Sequence, residues 1–321
     1  MRAAYVHSFD THDPLSGLKV GHLPAPDVPA DWVPITVRAS TVNHHDLWSL
    51  RGVGLRAEQL PMVLGCDAAG VDPDGREVIV HAVIGEGVDE TLDPQRSLLS
   101  ELHPGTLADT VWVPSRNLIP KPPELSWAQA ACVPTAWLTA YRMLISRGAF
   151  HGGMGPASVV LVQGAGGGVS TAAALLAKAF GARVYVTSRD AEKRERIAQM
   201  GLIACEPGAR LPERVDIVIE TVGQATIDHS LKCAKPGARI VVAGATSGFA
   251  PTVDLRRVFF QQLSIVGSTM GTRTELCELV NMLVRTGVRP LIDSIYAFED
   301  VSEALTRLES GKSFGKVVLE H

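Results

Sequence analysis

The sequence is poor in the features that would commit it to a membrane, a disulfide scaffold or a nucleic acid. No apolar run comes near the roughly 18 residues that a bilayer-spanning helix needs. The opening "MRAAYVHSFD" holds no apolar core of a secretory signal. These two absences set the expectation of a soluble, cytoplasmic protein. Cysteine is scarce: Cys66, Cys132, Cys205, Cys233 and Cys277 are scattered, odd in number and never form a C-x-x-C pair. That argues against a disulfide framework and against a structural zinc knot. Positive charge is also short, with 30 Lys and Arg against 34 Asp and Glu and no basic cluster. A formal net charge of −4 leaves no footprint for a phosphate backbone or an anionic lipid surface. Internal repeats and low-complexity tracts are absent too.

What is present is material for a buried core: 46% of the 321 residues are hydrophobic, enough chain for about two domains. Two regimes follow each other. Up to about residue 125, short β-type runs such as "WVPITVRAS", "GREVIVHAV" and "DTVWVPS" are broken by Gly, Pro and Asp, the pattern of a compact barrel-like β unit. From Ser126 strands alternate with helices. Strands are expected at 158–163, 183–187, 215–220, 238–244 and 263–268, with helices at 168–180, 190–200 and 224–234. Near-continuous Val and Ile runs in such an alternation point to an α/β fold whose doubly wound parallel sheet is buried on both faces. Only about ten residues separate "LIAC" from "VDIVIE", too few for a crossover helix, so a turn is expected there. After Met270, helices are expected at 273–286 and 299–310, and the strand "KVVLE" closes the chain.

The stretch "VLVQGAGGGVS" (160–170) joins a β run to the helix "TAAALLAKAF". Glycines at such a junction let the backbone approach a pyrophosphate, and the following helix aims its N–H groups and positive dipole end at it. A second β run ends about 20 residues on, as a dinucleotide site requires. Gly164, Ala165, Gly167, Gly168 and Val169 are therefore assigned to cofactor binding. The tip of the second strand reads "VTSRDAEKRER", with no acidic residue placed to hold a ribose 2′-hydroxyl. Ser188, Arg189 and Lys193 suit a 2′-phosphate, and Asp190 suits a helix N-cap. NADP(H) is the expected cofactor; the plainer alternative leaves Arg189 and Lys193 as solvated surface charges.

At this point the chain resembles a medium-chain dehydrogenase/reductase. "VNHHDLW", "VLGCDAAGV", "GTLADTVWVP", "NLIPKPPELSWAQAACVPTAWLTAY", "VQGAGGGVS", "FFQQLSIVGSTMGT" and "FGKVVLE" fall in that family's order, and the closest likeness is to its zinc-free, quinone oxidoreductase-like branch. The resemblance implies a GroES-like β-barrel catalytic domain over 1–125, a Rossmann domain over 126–270, and a segment over 271–321 returning to the catalytic domain. It implies further cofactor contacts from Thr139, Gly244, Ala245, Ser268, Thr269 and Met270, and from Lys316 approaching the pyrophosphate. Some relatives keep Ser at the end of the glycine loop, so Ser170, whose hydroxyl can cap the helix or meet phosphate, is compatible with the site.

The same resemblance locates where a catalytic zinc would be bound. Its ligand positions fall on Asn43, on Cys66 with Asp67, and on Thr135, and the "VIGEGVDETLDPQRSLLSELHPGT" stretch has no cysteine for a second metal. Asn and Thr are poor zinc ligands, so no metal is expected. Without a Lewis acid, chemistry is restricted to conjugated acceptors whose developing oxyanion needs only hydrogen-bond donors. Those donors are expected to be Asn43, Thr135 and one of His44 and His45, with Asp46 positioning them. The final proton comes from a His or from solvent. Trp48, Leu50 and residues 84–103 are expected to wall the substrate pocket. The function expected is NADPH-dependent, zinc-independent hydride transfer to a quinone, enone or similar activated double bond. The alternatives are an alcohol or aldehyde dehydrogenase with a lost or rearranged metal site, and a non-catalytic nucleotide-binding or structural protein. Strand 263–268 ends the alternation, so its edge, with Leu263, Ile265 and Val266, is expected to pair with a second copy in a homodimer.

Overall fold

The structure, a computed structural model, describes residues 1–148 and 155–321. It divides into two units, Met1–Thr135 with Gly271–His321, and Ala136–Met270. The first boundary falls at Thr135, not at 125, because the short helix that follows the β regime packs on strands of the first unit.

The first stretch of chain forms β1 (Arg2–Val6), β2 (Leu18–His22), β3 (Trp32–Thr41), α1 (His44–Leu50), β4 (Met62–Val63), β5 (Asp67–Val71), β6 (Glu77–Val80), β7 (Val83–Ile84), β8 (Ser97–Leu98), β9 (Thr110–Pro114), β10 (Leu118–Pro120) and α2 (Trp127–Ala131). Strand β3 shows the period-two rule: Ile35, Val37 and Ala39 are buried while Pro34, Thr36 and Arg38 face solvent. It pairs antiparallel with both β5 and β9.

The second unit begins with α3 (Leu138–Arg142) and continues as β11 (Val159–Val162), α4 (Gly168–Ala179), β12 (Arg183–Thr187), α5 (Ala191–Gln199), β13 (Ile203–Cys205), β14 (Val215–Glu220), α6 (Ile227–Cys233), β15 (Ala234–Val242), α7 (Leu255–Phe260) and β16 (Ser264–Gly267). All neighbouring pairs are parallel, in the order β13-β12-β11-β14-β15-β16. This is the doubly wound order of dinucleotide-binding folds, with its switch point at the carboxyl end of β11. No helix lies between β13 and β14, as their spacing requires. Strand β16 sits at the edge with Ile265 exposed, but Leu263 is buried, a correction to the expected edge face.

The chain then re-enters the first unit as α8 (Arg273–Thr286), β17 (Ile292–Ala297), α9 (Val301–Glu309) and β18 (Lys316–Glu320). Strand β18 pairs antiparallel with β3 and parallel with β17, which extends the sheet to the order β10-β6-β5-β3-β18-β17. Val301, Leu305, Val317 and Leu319 share one core with Leu47, Leu50 and Leu64. Each such side chain contributes about 1.5–3 kcal/mol by leaving water, so the returning segment completes the core beneath α1. Leu50 is wholly buried there and does not wall a pocket.

Candidate active site

In the first unit the site is built around the start of α1. Asn43 is the N-cap residue, with extended backbone, and Asp46 stands three positions on. The Asp46 carboxylate accepts the Asn43 N–H at 2.7 Å through Oδ2 and the Gly65 N–H at 2.9 Å through Oδ1. Asp46 is fully buried, and desolvation raises its pKa against the charge of His45 and the two N–H bonds. Each of its two oxygens thus accepts one backbone N–H. Gly65 has φ +98, and a Cβ there would lie 2.5 Å from the Thr106 hydroxyl oxygen. Only glycine suits this position, which sets the direction of Cys66 and Asp67.

The closing strand delivers Lys316 to the same place. Its Nζ donates to the Val42 carbonyl at 3.1 Å, to Asn43 Oδ1 at 2.6 Å and to Asp67 Oδ2 at 3.1 Å. Asp67 Oδ2 also accepts the Thr41 hydroxyl at 2.5 Å and Asn43 Nδ2 at 2.8 Å, while its Oδ1 is buried without a partner among the described residues. All three N–H groups of the ammonium are thus committed within the first unit. Asn43, Asp67 and Lys316 were each singled out from sequence, but no local pattern joins them, because Lys316 lies 249 positions or more from its partners.

His44 and His45 open α1 and diverge, as adjacent helical residues do. His44 is exposed; protein packed round its ring, then Lys316 and Arg51, holds its pKa below the usual imidazole value, and solvent access limits that shift. His45 has a buried Nε2 without a partner among the described residues, and so does the Thr135 hydroxyl. Thr135 lies in a π-helical turn, Val133–Trp137, a local widening often found at functional sites.

These residues do not fit zinc. Asn43 is held at both ends of its amide, and the Cys66 thiol donates to the Leu99 carbonyl at 3.1 Å. Burial, then the nearby carboxylates, push the Cys66 thiol far from its thiolate form. A buried ammonium already supplies the positive charge. Among the described residues, no three of His, Cys, Asp and Glu converge on a possible metal position.

In the second unit the expected cofactor residues gather at the carboxyl ends of the strands. Gly167 caps α4, whose first residues are Gly168 and Val169. Gly164 and Gly166 adopt φ +76 and +102, and Gly166 was not singled out from sequence. Thr187 braces the loop, its hydroxyl accepting the Gly164 N–H and donating to Gln163, while its carbonyl accepts the Ala165 N–H. Behind it, Gln163 donates to His229 and Ser230, and Ser230 donates to the buried Glu220. This buried support is illegible in sequence. Ser170 donates back to the Gly167 carbonyl at 3.1 Å, so its hydroxyl steadies the turn.

At the end of β12, Asp190 accepts the Lys193 N–H and is the α5 N-cap, as expected. Arg194 is tied to the carbonyls of Ser188 and Arg189 and to Glu206. Ser188 is buried, with its hydroxyl on the Asp190 N–H. Arg189 is exposed, and its side chain has no partner among the described residues. Gly244 and Ala245 follow β15; Ser268, Thr269 and Met270 follow β16, with Met270 at φ +48 and the Ser268 hydroxyl buried and unpartnered among the described residues. Thr139 is buried on α3, which packs on α4.

Comparison with known proteins agrees with this architecture. The zinc-binding dehydrogenase family model matches residues 168–285, and the alcohol dehydrogenase GroES-like domain model matches residues 29–123. A crotonyl-CoA reductase of Streptomyces avermitilis is 26% identical over 98% of this chain and 87% of that protein. The crystal structure of an NAD-dependent alcohol dehydrogenase is similar with a TM-score of 0.89 and 32% identity, covering 100% of both chains. The structure of the 2-octenoyl-CoA carboxylase reductase CinF in complex with NADP and 2-octenoyl-CoA has a TM-score of 0.88 and 25% identity, covering 99% of this chain and 87% of that one.

Proposed function

Because this chain belongs to the medium-chain dehydrogenase/reductase superfamily, we propose that it is an NADPH-dependent oxidoreductase, independent of zinc, that reduces a carbon–carbon double bond conjugated to a carbonyl. Enoyl thioesters, enones and quinones share that chemistry. The observation that carries the reading is the donor cluster at Asn43, where an amide held by Lys316 and Asp67 stands in place of metal ligands.

When bound, the reduced nicotinamide supplies a hydride to the electron-poor end of the conjugated system. The electron pair of the double bond then moves toward the carbonyl oxygen, and an enolate needs hydrogen-bond donors already aimed at it. Asn43 Nδ2 and the Thr135 hydroxyl are such donors. His44, with its lowered pKa, is neutral at pH 7, so the last proton comes from solvent or from a small protonated fraction. The N-terminus of α4 and the glycine loop hold the pyrophosphate, and Arg189 meets the 2′-phosphate. The relatives that reduce crotonyl-CoA and bind NADP with 2-octenoyl-CoA support this choice.

The test is a panel of enoyl thioesters, enones, quinones and, in the reverse direction, primary alcohols, each with both nicotinamide cofactors. Reduction of a conjugated acceptor with NADPH is the expected result. Turnover confined to alcohols with NAD, or none across the panel, overturns the proposal.

A further inference from the structure

An ammonium only donates and a carboxylate only accepts. An amide placed between them has its orientation fixed: the oxygen must meet the ammonium and the nitrogen the carboxylate. Asn43 is in that position, with Lys316 Nζ on its Oδ1 at 2.6 Å and Asp67 Oδ2 on its Nδ2 at 2.8 Å. Lys316 and Asp67 are almost wholly buried, at 4% and 0% side-chain exposure, so the two partners are not exchanged for water. Thr41 and the Val42 carbonyl hold them in turn. One Nδ2–H of Asn43 goes to Asp67; the other has no partner among the described residues, and Asn43 is only half-buried.

We propose that Lys316 and Asp67 are a positioning pair that locks the Asn43 amide so that its second Nδ2–H is presented to the carbonyl oxygen of the substrate, and that Lys316 takes no part in holding the cofactor. This rests on the reading of the site as a reductase of activated double bonds. It reassigns Lys316 from the pyrophosphate to the reacting oxygen, acting through Asn43. Removal of both partners frees the amide to turn, and a turned amide offers its oxygen, a repulsive partner for an enolate.

Two measurements test it. The first compares wild type with Lys316→Met and with Lys316→Met/Asp67→Asn, which leaves no unpaired buried charge. NADPH affinity by fluorescence titration should stay within about twofold, while kcat on the best conjugated acceptor falls about a hundred- to a thousandfold, the scale of one oxyanion donor. In an Asn43→Ala background, the Lys316 change should cost no further kcat. A loss of NADPH affinity with kcat retained, or additive losses with Asn43→Ala, overturns the proposal. The second measurement needs no turnover. The chain has three asparagines, Asn43, Asn117 and Asn281, so selective 15N-asparagine labelling gives a readable side-chain NMR spectrum. The Asn43 Nδ2 proton that meets Asp67 should lie well downfield and exchange slowly with water in wild type, and both features should be lost in the double variant. Unchanged Asn43 signals in the double variant refute the lock. An inactive wild type with the expected NMR change would instead refute the proposed reaction and leave the lock standing.

Discussion

Asp46 and Gly65 are joined by a 2.9 Å hydrogen bond from the glycine N–H to the aspartate Oδ1, while the other carboxylate oxygen holds the Asn43 N–H. One buried side chain therefore ties together the two turns that carry Asn43 and Asp67. Asp46→Ala removes a helix cap and leaves a buried N–H unpaired, a loss of about 2–4 kcal/mol. Asp46→Asn, which keeps one acceptor, should lose about half as much. Urea unfolding of the three proteins measures this; equal stability of Asp46→Ala and wild type would show that the turns are held some other way.

The exposed Arg189 at the end of β12 is the residue expected to set cofactor preference. NADPH should bind more tightly than NADH, and Arg189→Ala should erase most of the difference. A charge-assisted contact to the 2′-phosphate is worth about 1.5–3 kcal/mol, or roughly tenfold and more. Titration of both variants with both cofactors decides it, and equal wild-type affinities would sink the assignment. Lys178→Ala, on a side chain that donates to the Met200 carbonyl, serves as a control that should leave the ratio unchanged.

The metal prediction follows from the donors. Asn43 and Thr135 are weak ligands, the Cys66 thiol resists ionisation, and the Lys316 ammonium repels a cation. Purified protein should carry far less than one zinc per chain, and a chelator should leave the rate unchanged. Stoichiometric zinc bound through Cys66 would contradict this.

The features legible in the sequence are those set by local periodicity. Helix α8 begins and ends where expected, since Thr272 and Glu275 form a capping box and Gly287 closes the helix in a left-handed conformation. The strands of the parallel sheet announced themselves through Val and Ile runs, and the glycine loop through its place between one of them and a helix. Strand β17 escaped because "IDSIYA" is only half-buried and lacks a clean alternation. Helix α7 escaped because it is six residues long and buries none of them. Lys316 was legible as a basic residue in a compact motif, yet its partner Asp67 lies 249 positions away. That pairing is a product of β18 and β5 flanking β3 on either side, which no local pattern records.

His321 makes stability depend on pH. Burial holds its pKa down, to about 4 from the usual 6.5, and its Nε2 lies 2.8 Å from the Ser40 hydroxyl. The unfolded chain takes up a proton near pH 6.5 that the folded chain refuses. Stability from this residue is therefore full above pH 6.5 and falls as pH drops toward 4, by on the order of 3 kcal/mol. His321→Gln should show a shallower loss than wild type over that window in urea unfolding at pH 7 and pH 4.5. Parallel slopes would mean that the imidazole protonates without resistance.

Assembly is the last prediction. Strand β16 pairs only with β15 among the described residues, so its outer N–H and C=O groups are open. Beside it in the chain, α7 exposes Leu255, Phe259 and Phe260 at 69%, 59% and 74%, and Ile265 on the strand itself is 44% exposed. An open edge flanked by this much apolar surface invites pairing. The same edge of a second copy is self-complementary under a two-fold axis and would continue the sheet from one subunit into the next. We therefore expect a homodimer at micromolar concentration by light scattering. Ile265→Lys combined with Phe260→Lys places like charges at the symmetric contact and should give a monomer that still binds NADPH. A monomeric wild type, or a dimer indifferent to both changes, would move the interface elsewhere.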